Sequence, residues 1–295
     1  MSNVIVTGTS SGIGFATAVT LGRAGHTVYA TMRRPDRAPQ LREIVEKEKL
    51  PISIVPMDVD SDESVEAAIS TIHAQAGFID VLVNNAGVER RGSIEELPFE
   101  AFRATMETNY FGALRCIRAL LPQMRERQDG CIVNVTSVAG RIACSPLAPY
   151  AASKFALEAL SESLAQEAKP FNIRVAVVQP GIIDTPMARR IEAPPGESRY
   201  PQSRRFAGMF EASLGNPTPP PVVAEKIREI IESGTWQFRH PVGPDAQPFL
   251  DWRSSMTDEE WVNWGALDDN AWYERVQNDF GFDAHPKQQR HATGD

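Results

Sequence analysis

Three β-branched runs without hydrophobic alternation constrain this chain more than any other feature. Val4-Ile5-Val6, Ile132-Val133-Asn134-Val135 and Val175-Ala176-Val177-Val178 place mainly apolar side chains at successive positions. Successive strand residues face opposite sides of a sheet, so such runs need cover on both faces. A sheet with one wet face would alternate instead. Further strand signals lie at Thr27-Val28-Tyr29-Ala30, Ile52-Ser53-Ile54-Val55 and Val81-Leu82-Val83. Between them, helical spacing predicts helices over Gly12 to Ala24, Gln40 to Lys49, Ser64 to Ala74 and Glu100 to Arg127, the last bent at Pro122. Repeated βα units of this kind predict an α/β fold, a doubly wound parallel sheet, over residues 1–185.

Past Thr185 the character changes. Pro194-Pro195-Gly196 and Pro217 to Pro221 bracket a segment holding Phe206, Met209 and Phe210. It reads as a flap over 185–221 with a short helix. Val222 to Glu232 predicts another helix and Phe238 to Val242 a last strand. Residues 1–244 thus read as one domain and 245–295 as a tail. All five tryptophans (Trp236, Trp252, Trp261, Trp264, Trp272) fall in the last 60 residues. Thr257-Asp258-Glu259-Glu260 has capping-box spacing ahead of Trp261. The tail is expected to form one or two short helices that lay Trp onto the body, with His285 to Asp295 frayed.

Composition narrows the function classes. A formal net charge of -8 and no long Lys/Arg run argue against nucleic acid as a partner. No stretch approaches the roughly 20 apolar residues of a membrane span. Met1-Ser2-Asn3 runs straight into a strand without the basic start of a signal peptide, so a cytoplasmic protein is expected. Cys116, Cys131 and Cys144 show no paired or ligand spacing and read as reduced thiols. The five histidines are scattered, and no metal is expected.

Chemistry concentrates at two places. The first strand enters Thr7-Gly8-Thr9-Ser10-Ser11-Gly12-Ile13-Gly14 and then a helix. Such a turn lets backbone approach a pyrophosphate, which the helix N-terminus favours electrostatically. Its G-x-x-x-G-x-G spacing differs from the general dinucleotide fingerprint. The second place is Tyr150-Ala-Ala-Ser-Lys154 at the start of an apolar helix. Residues at i and i+4 share a helix face, which sets a phenol beside an ammonium. Free Tyr has a pKa of about 10, and a fixed positive charge lowers it toward the working range of a proton-transfer group. Alone, Tyr-x-x-x-Lys is a weak signal.

The markers together are stronger. Thr7-Gly8-x-x-x-Gly12-Ile13-Gly14, Asn84-Asn85-Ala86-Gly87, Asn109, Ser137, Tyr150-x-x-x-Lys154 and Pro180-Gly181 occur in order. Over residues 3–190 the chain resembles the short-chain dehydrogenase/reductase family, in the flavour of its hydroxysteroid, retinol and carbonyl reductase members. The resemblance implies a Rossmann-type sheet of about seven strands. It implies that Gly8, Ser10, Ser11, Gly12, Ile13 and Gly14 hold pyrophosphate and ribose, and that Asp58 and Val59 bracket the adenine. Asn85, Ala86 and Gly87 would line the cofactor, and Pro180, Gly181, Ile183 and Thr185 would meet its nicotinamide side. Tyr150 would be the acid/base, Lys154 its tuner and a ribose clamp, Ser137 the partner of the substrate oxygen, and Asn109 the anchor of a relay water beside Lys154.

Cofactor choice follows from charge. A carboxylate after the second strand suits NAD, whereas Arg there welcomes the 2′-phosphate of NADP. Thr31-Met32-Arg33-Arg34 offers Arg33 and Arg34 and no acid; Asp36 lies beyond Pro35. NADP(H) is expected over NAD(H). The substrate would be a small carbonyl or alcohol, with apolar Ile142, Leu147, Met187, Met209 and Phe210 suiting a lipophilic one and Glu89, Arg90 and Arg189 adding charge. Apolar residues in the helix after Lys154 (Phe155, Ala156, Ala159, Leu160, Leu164) suggest a homodimer or homotetramer, as the family implies, or simply core. Other readings are an NAD-dependent alcohol dehydrogenase, a catalytically idle nucleotide sensor whose tail meets a partner, and an epimerising or dehydrating relative.

Overall fold

The computed structural model describes residues 1–191 and 198–285. Seven strands form one parallel sheet: β1 (Asn3–Thr7), β2 (Thr27–Met32), β3 (Ile52–Pro56), β4 (Val81–Asn84), β5 (Gly130–Val135), β6 (Ile173–Pro180) and β7 (Arg239–Val242). Their order is β3-β2-β1-β4-β5-β6-β7. The chain therefore winds outward from β1 to β3, returns to β4 beside β1, and winds the other way. Such a reversal opens a crevice at the carboxyl ends of the strands, where ligands bind in this architecture. This is the doubly wound, Rossmann-type fold.

The unalternating runs divide as their pattern requires. Val4 and Val6 enter one buried cluster and Ile5, between them, the other. Val81 and Val83 separate from Leu82 in the same way, and Val133 from Ile132. Fully burying each such side chain contributes about 1.5–3 kcal/mol. One face is covered by helices α1 (Gly12–Arg23), α2 (Pro39–Glu48) and α9 (Pro221–Ser233), through Leu21, Leu41 and Ile227. The other is covered by α3 (Asp62–Ala76), α5 (Gly112–Arg127) and α6 (Ala148–Ala168), through Ile72, Leu120 and Leu164.

The helix expected over Glu100 to Arg127 is interrupted, but not at Pro122. Helix α4 (Phe99–Met106) passes into a π turn over Glu107–Phe111 before α5 begins. Pro122 sits inside α5, where its missing N–H spares only the carbonyl of exposed Arg118. The π turn falls on Asn109, a residue of the candidate site.

After β6 come α7 (Pro186–Arg189) and α8 (Gln202–Ser213). Pro194-Pro195-Gly196 of the expected flap lies outside the described residues, as do positions 286–295 of the tail end. The tail forms three helices rather than one or two: α10 (Ala246–Ser254), α11 (Asp258–Gly265) and α12 (Asp269–Phe280). Helix α11 carries the expected capping box, Thr257 with Glu260. Trp252 is the hub of an aromatic cluster, its ring 5.5 Å from Trp261, 5.2 Å from Trp264 and 4.8 Å from Phe280. Trp236 precedes the tail and stands apart from this cluster. It is 47% exposed, with the Lys169 ammonium 5.2 Å from its ring.

Candidate active site

A cavity of about 1050 Å³ runs from the β1–α1 loop, past the ends of β4 and β5, to the tail. Every expected cofactor residue except Gly14 lines it, as do Ser137, Tyr150 and Lys154. Gly14 is buried behind the loop, where a Cβ would collide with the Asn85 amide and the Gly8 carbonyl. Gly8 (φ +72°) and Gly12 (φ +60°) take left-handed backbone that other residues adopt only under strain. A Cβ on Gly8 would also stand 2.7 Å from Ala86 Cα. The loop is locked to β4 by Thr7, whose Oγ1 accepts from the Asn85 and Ala86 amides, both at 2.9 Å, while Asn85 Nδ2 donates to the Thr7 carbonyl at 2.8 Å.

This cradle fits a nicotinamide dinucleotide. Ser11, N-cap of α1, makes no side-chain cap, and the first turn of α1 carries no acid. Uncapped amides facing a cavity suit a pyrophosphate. At the adenosine end Arg33, Arg34 and Arg37 line the cavity, whereas Asp36 does not. Among the described residues none of the three arginines has an ion-pair partner. Asp58 reaches the cavity, with its Oδ1 accepting the Asp60 amide at 3.2 Å. Thr185 caps α7 by accepting from the Ala188 amide at 3.2 Å. Gly181 has a structural duty too: a Cβ there would collide with the Asp245 carboxylate, which accepts the Ile182 amide at 2.7 Å and fixes the start of the tail.

At the chemical end Tyr150 occupies the first turn of α6, since the helix begins at Ala148. Ser137 hydrogen-bonds to its phenol. The phenol is nonetheless pushed up to about 12, because burial outweighs the Ser137 bond and the Glu89 charge adds to the rise. Lys154 follows one helical turn later on the same face of α6. Its ammonium donates to the Val135 carbonyl at 2.9 Å and lies 5.6 Å from the centre of the Tyr150 ring. Burial pushes Lys154 itself down to about 8, against the pull of Glu158.

Asn109 packs near Lys154, the two side chains flanking Gly87. It is 1% exposed and does not line the cavity. Its Nδ2 donates to the Val88 carbonyl and to Ser153 Oγ, both at 2.9 Å, and its Oδ1 accepts the Val88 amide at 2.8 Å. With both ends of the amide so committed, the side chain is a clamp between the loop after β4 and the helix that carries Tyr150 and Lys154.

Three features were not legible in the sequence. A buried polar ladder, Asn84 to Asn134 at 2.9 Å and Asn134 to Ser161 at 2.8 Å, ties β4 and β5 to α6. Glu158 accepts from Thr136 at 2.8 Å, Gln179 at 3.0 Å and Arg239 at 3.0 Å, joining α6 to β6 and β7. The tail is a wall of the cavity: Phe249, Trp252, Trp261, Trp264 and Trp272 line it, and Trp261 Nε1 donates to the Ala143 carbonyl at 3.0 Å. The density of Trp was the available signal; which surface it faces was not. Cys144 also lines the cavity, but burial pushes its thiol up to about 12, which makes it a poor nucleophile.

The fold and this cavity define a dinucleotide-dependent oxidoreductase of the α/β class. Residues 2–196 match the short chain dehydrogenase family, and the chain belongs to it, among oxidoreductases acting on alcohol and carbonyl groups. An uncharacterized oxidoreductase of Bacillus subtilis (strain 168), YusZ, is 35% identical over 272 residues, covering 89% of this chain and 95% of the relative. A 3-ketodihydrosphingosine reductase of Bacteroides thetaiotaomicron is 36% identical over 248 residues, covering 83% and 88%. The crystal structure of a short-chain dehydrogenase from Streptomyces avermitilis superimposes with a TM-score of 0.76 at 34% identity, covering 89% of this chain and 95% of that one. Among the described residues no helix is long and apolar enough to cross a membrane.

Proposed function

We propose that the protein is an NADP(H)-dependent oxidoreductase that interconverts a lipophilic ketone and its secondary alcohol. The observation that carries this reading is a single cavity joining the glycine loop, the Ser137–Tyr150–Lys154 group and the tail aromatics. When bound, the cofactor supplies a hydride to the carbonyl carbon or accepts one from the alcohol. Gly8, Ser10, Ser11, Gly12 and Ile13 would hold its pyrophosphate, Asp58 and Val59 its adenine, and Arg33, helped by Arg34 and Arg37, its 2′-phosphate. Asn85, Ala86, Gly87, Pro180, Gly181, Ile183 and Thr185 would complete the bed.

In reduction Tyr150 gives its phenolic proton to the substrate oxygen as charge develops there, and in oxidation it takes that proton back. Ser137, already bonded to the phenol, orients it and donates to the same oxygen. Lys154 would hold its charge near Tyr150 and donate to the ribose hydroxyls of the cofactor. Asn109 keeps α6 and the loop after β4 in register, a positioning role. The tail aromatics exclude water and favour an apolar substrate, and the Bacteroides relative is by its name a 3-ketodihydrosphingosine reductase. Exposed Phe155 and Phe111 support self-association as a homodimer or homotetramer.

The test is cofactor absorbance across a panel of aldehydes, ketones and secondary alcohols with NADPH and NADH. Turnover of a lipophilic ketone with a preference for NADPH is expected. Silence across the panel, with tight NADPH binding, would overturn the reading in favour of a nucleotide sensor.

A further inference from the structure

We propose that Glu89 recognises a hydrogen-bond donor, a hydroxyl or an ammonium, carried by the substrate next to its reacting carbon. The inference rests on the carbonyl-reductase reading and narrows its substrate class to lipophilic ketones bearing such a donor. Glu89 stands in the loop after β4, directly behind Val88, which Asn109 clamps at both its amide and its carbonyl. Its side chain is 8% exposed and lines the same cavity as Tyr150. Oε2 accepts from Arg91 at 3.1 Å, and Arg91 is itself tied to the Arg190 carbonyl at 2.7 Å. Oε1 is buried and has no hydrogen-bond partner.

The carboxylate is therefore fixed on one side and unsatisfied on the other. Buried polar atoms are almost always paired, and an orphan on a charged group is among the costlier kinds. The placement also works against the chemistry, because the Glu89 charge opposes formation of a phenolate at Tyr150. A substrate donor removes both costs at once. It satisfies Oε1, and where it is an ammonium it also offsets the charge that Tyr150 feels. A substrate bringing only an acceptor leaves the orphan in place and adds repulsion. The apolar remainder of the molecule goes toward the tail aromatics lining the same cavity.

The test compares four ketones of one chain length with NADPH as cofactor: a plain long-chain methyl ketone and its α-hydroxy, α-ammonium and α-methoxy derivatives. The methoxy compound keeps the oxygen and the bulk without the donor. In the unaltered enzyme, kcat/KM for the hydroxy or ammonium ketone should exceed that for the methoxy ketone by about 10-fold or more, the effect of one charge-assisted hydrogen bond. In Glu89→Gln the ammonium preference should collapse, and in Glu89→Leu both preferences should, with NADPH binding by fluorescence reporting that each variant is folded. Equal efficiency on all four ketones overturns this inference and leaves the reductase reading intact. So does a preference that survives in Glu89→Leu. No turnover of any of the four overturns the reductase reading and this inference with it. Should a variant fail to fold, discrimination by the unaltered enzyme still decides.

Discussion

Lys154 donates its ammonium to the Val135 carbonyl at 2.9 Å from a position only 5% exposed. Burying the cation lowers its pKa from the ordinary 10.5 to about 8. The folded state then binds fewer protons than the unfolded chain between those values. Stability therefore rises as pH climbs from about 8 toward 10.5, and the full penalty applies below pH 8. Lys154→Met keeps the bulk and removes the charge. At pH 7 it should stabilise the protein by up to about 2 kcal/mol, the burial cost less that of an orphaned carbonyl. The gain should fade near pH 10, and turnover should be lost. Urea titrations at both pH values check this; a less stable variant at pH 7 would mean the ammonium's contacts outweigh its burial.

Tyr150→Phe removes one oxygen and leaves the ring in its packing beside Ala151 and Leu147. Without its acid the reduction rate should fall by about 10²–10⁴-fold, the usual contribution of a positioned proton donor. NADPH affinity, measured by fluorescence titration, should change little. Near-normal turnover would remove Tyr150 from the chemistry.

The direction of the Tyr150 shift sets a pH dependence. With the phenol pushed up to about 12, the protonated form that serves reduction persists across neutral pH, while the phenolate that serves oxidation is scarce. Below the Lys154 value of about 8, alcohol oxidation should climb with pH and ketone reduction should stay nearly flat; above it both should fall as Lys154 loses its charge. Because the Glu89 charge adds to the rise, Glu89→Leu should move the oxidation limb to lower pH. A limb that stays in place in that variant would show that Glu89 does not act on the phenol.

Much of this was legible because it is written in local pattern. Val4-Ile5-Val6 declares a strand covered on both faces whatever its neighbours, and the glycines of the β1–α1 loop declare their backbone. The site residues were found from marker order, and the structure brings all but Gly14 and Asn109 to one cavity. What local pattern could not carry was partnership at long range. Asn109 meets Ser153, 44 positions away, and the π turn at that point leaves no signature in the helix periodicity. Trp261 reaches Ala143 across 118 positions, so a tail that read as packing became a cavity wall. The i, i+4 spacing of Tyr150 and Lys154 placed them on one face, but not where the ammonium would spend its hydrogen bonds.

Arg33 tests the cofactor assignment. It lines the cavity and is exposed, and its charge pulls down the Asp60 carboxyl, which burial holds high. Arg33→Ala should weaken NADPH binding by about 10–100-fold, the loss of one charge-assisted contact to phosphate, and leave NADH binding within about 2-fold. Isothermal titration with both cofactors measures the pair. Equal losses for the two would mean Arg33 supports the loop and does not read the phosphate.

Trp252 tests the tail. Its ring packs edge-on against Trp261, Trp264 and Phe280, and its Nε1 donates to Asp279 at 3.2 Å. One side chain thus joins α10, α11 and α12 and also lines the cavity. Trp252→Ala should cost about 2–3 kcal/mol, below the range for a fully buried Trp because this ring is half-buried. If the tail is the apolar wall of the substrate site, KM for a long-chain ketone should rise by about 10-fold or more, as expected when two or three methylenes lose their burial. KM for a short aldehyde held only at Ser137 and Tyr150 should change far less. A thermal melt reads the first effect and paired steady-state kinetics the second. Parallel rises in both KM values would show that the cluster stabilises the fold without shaping the pocket.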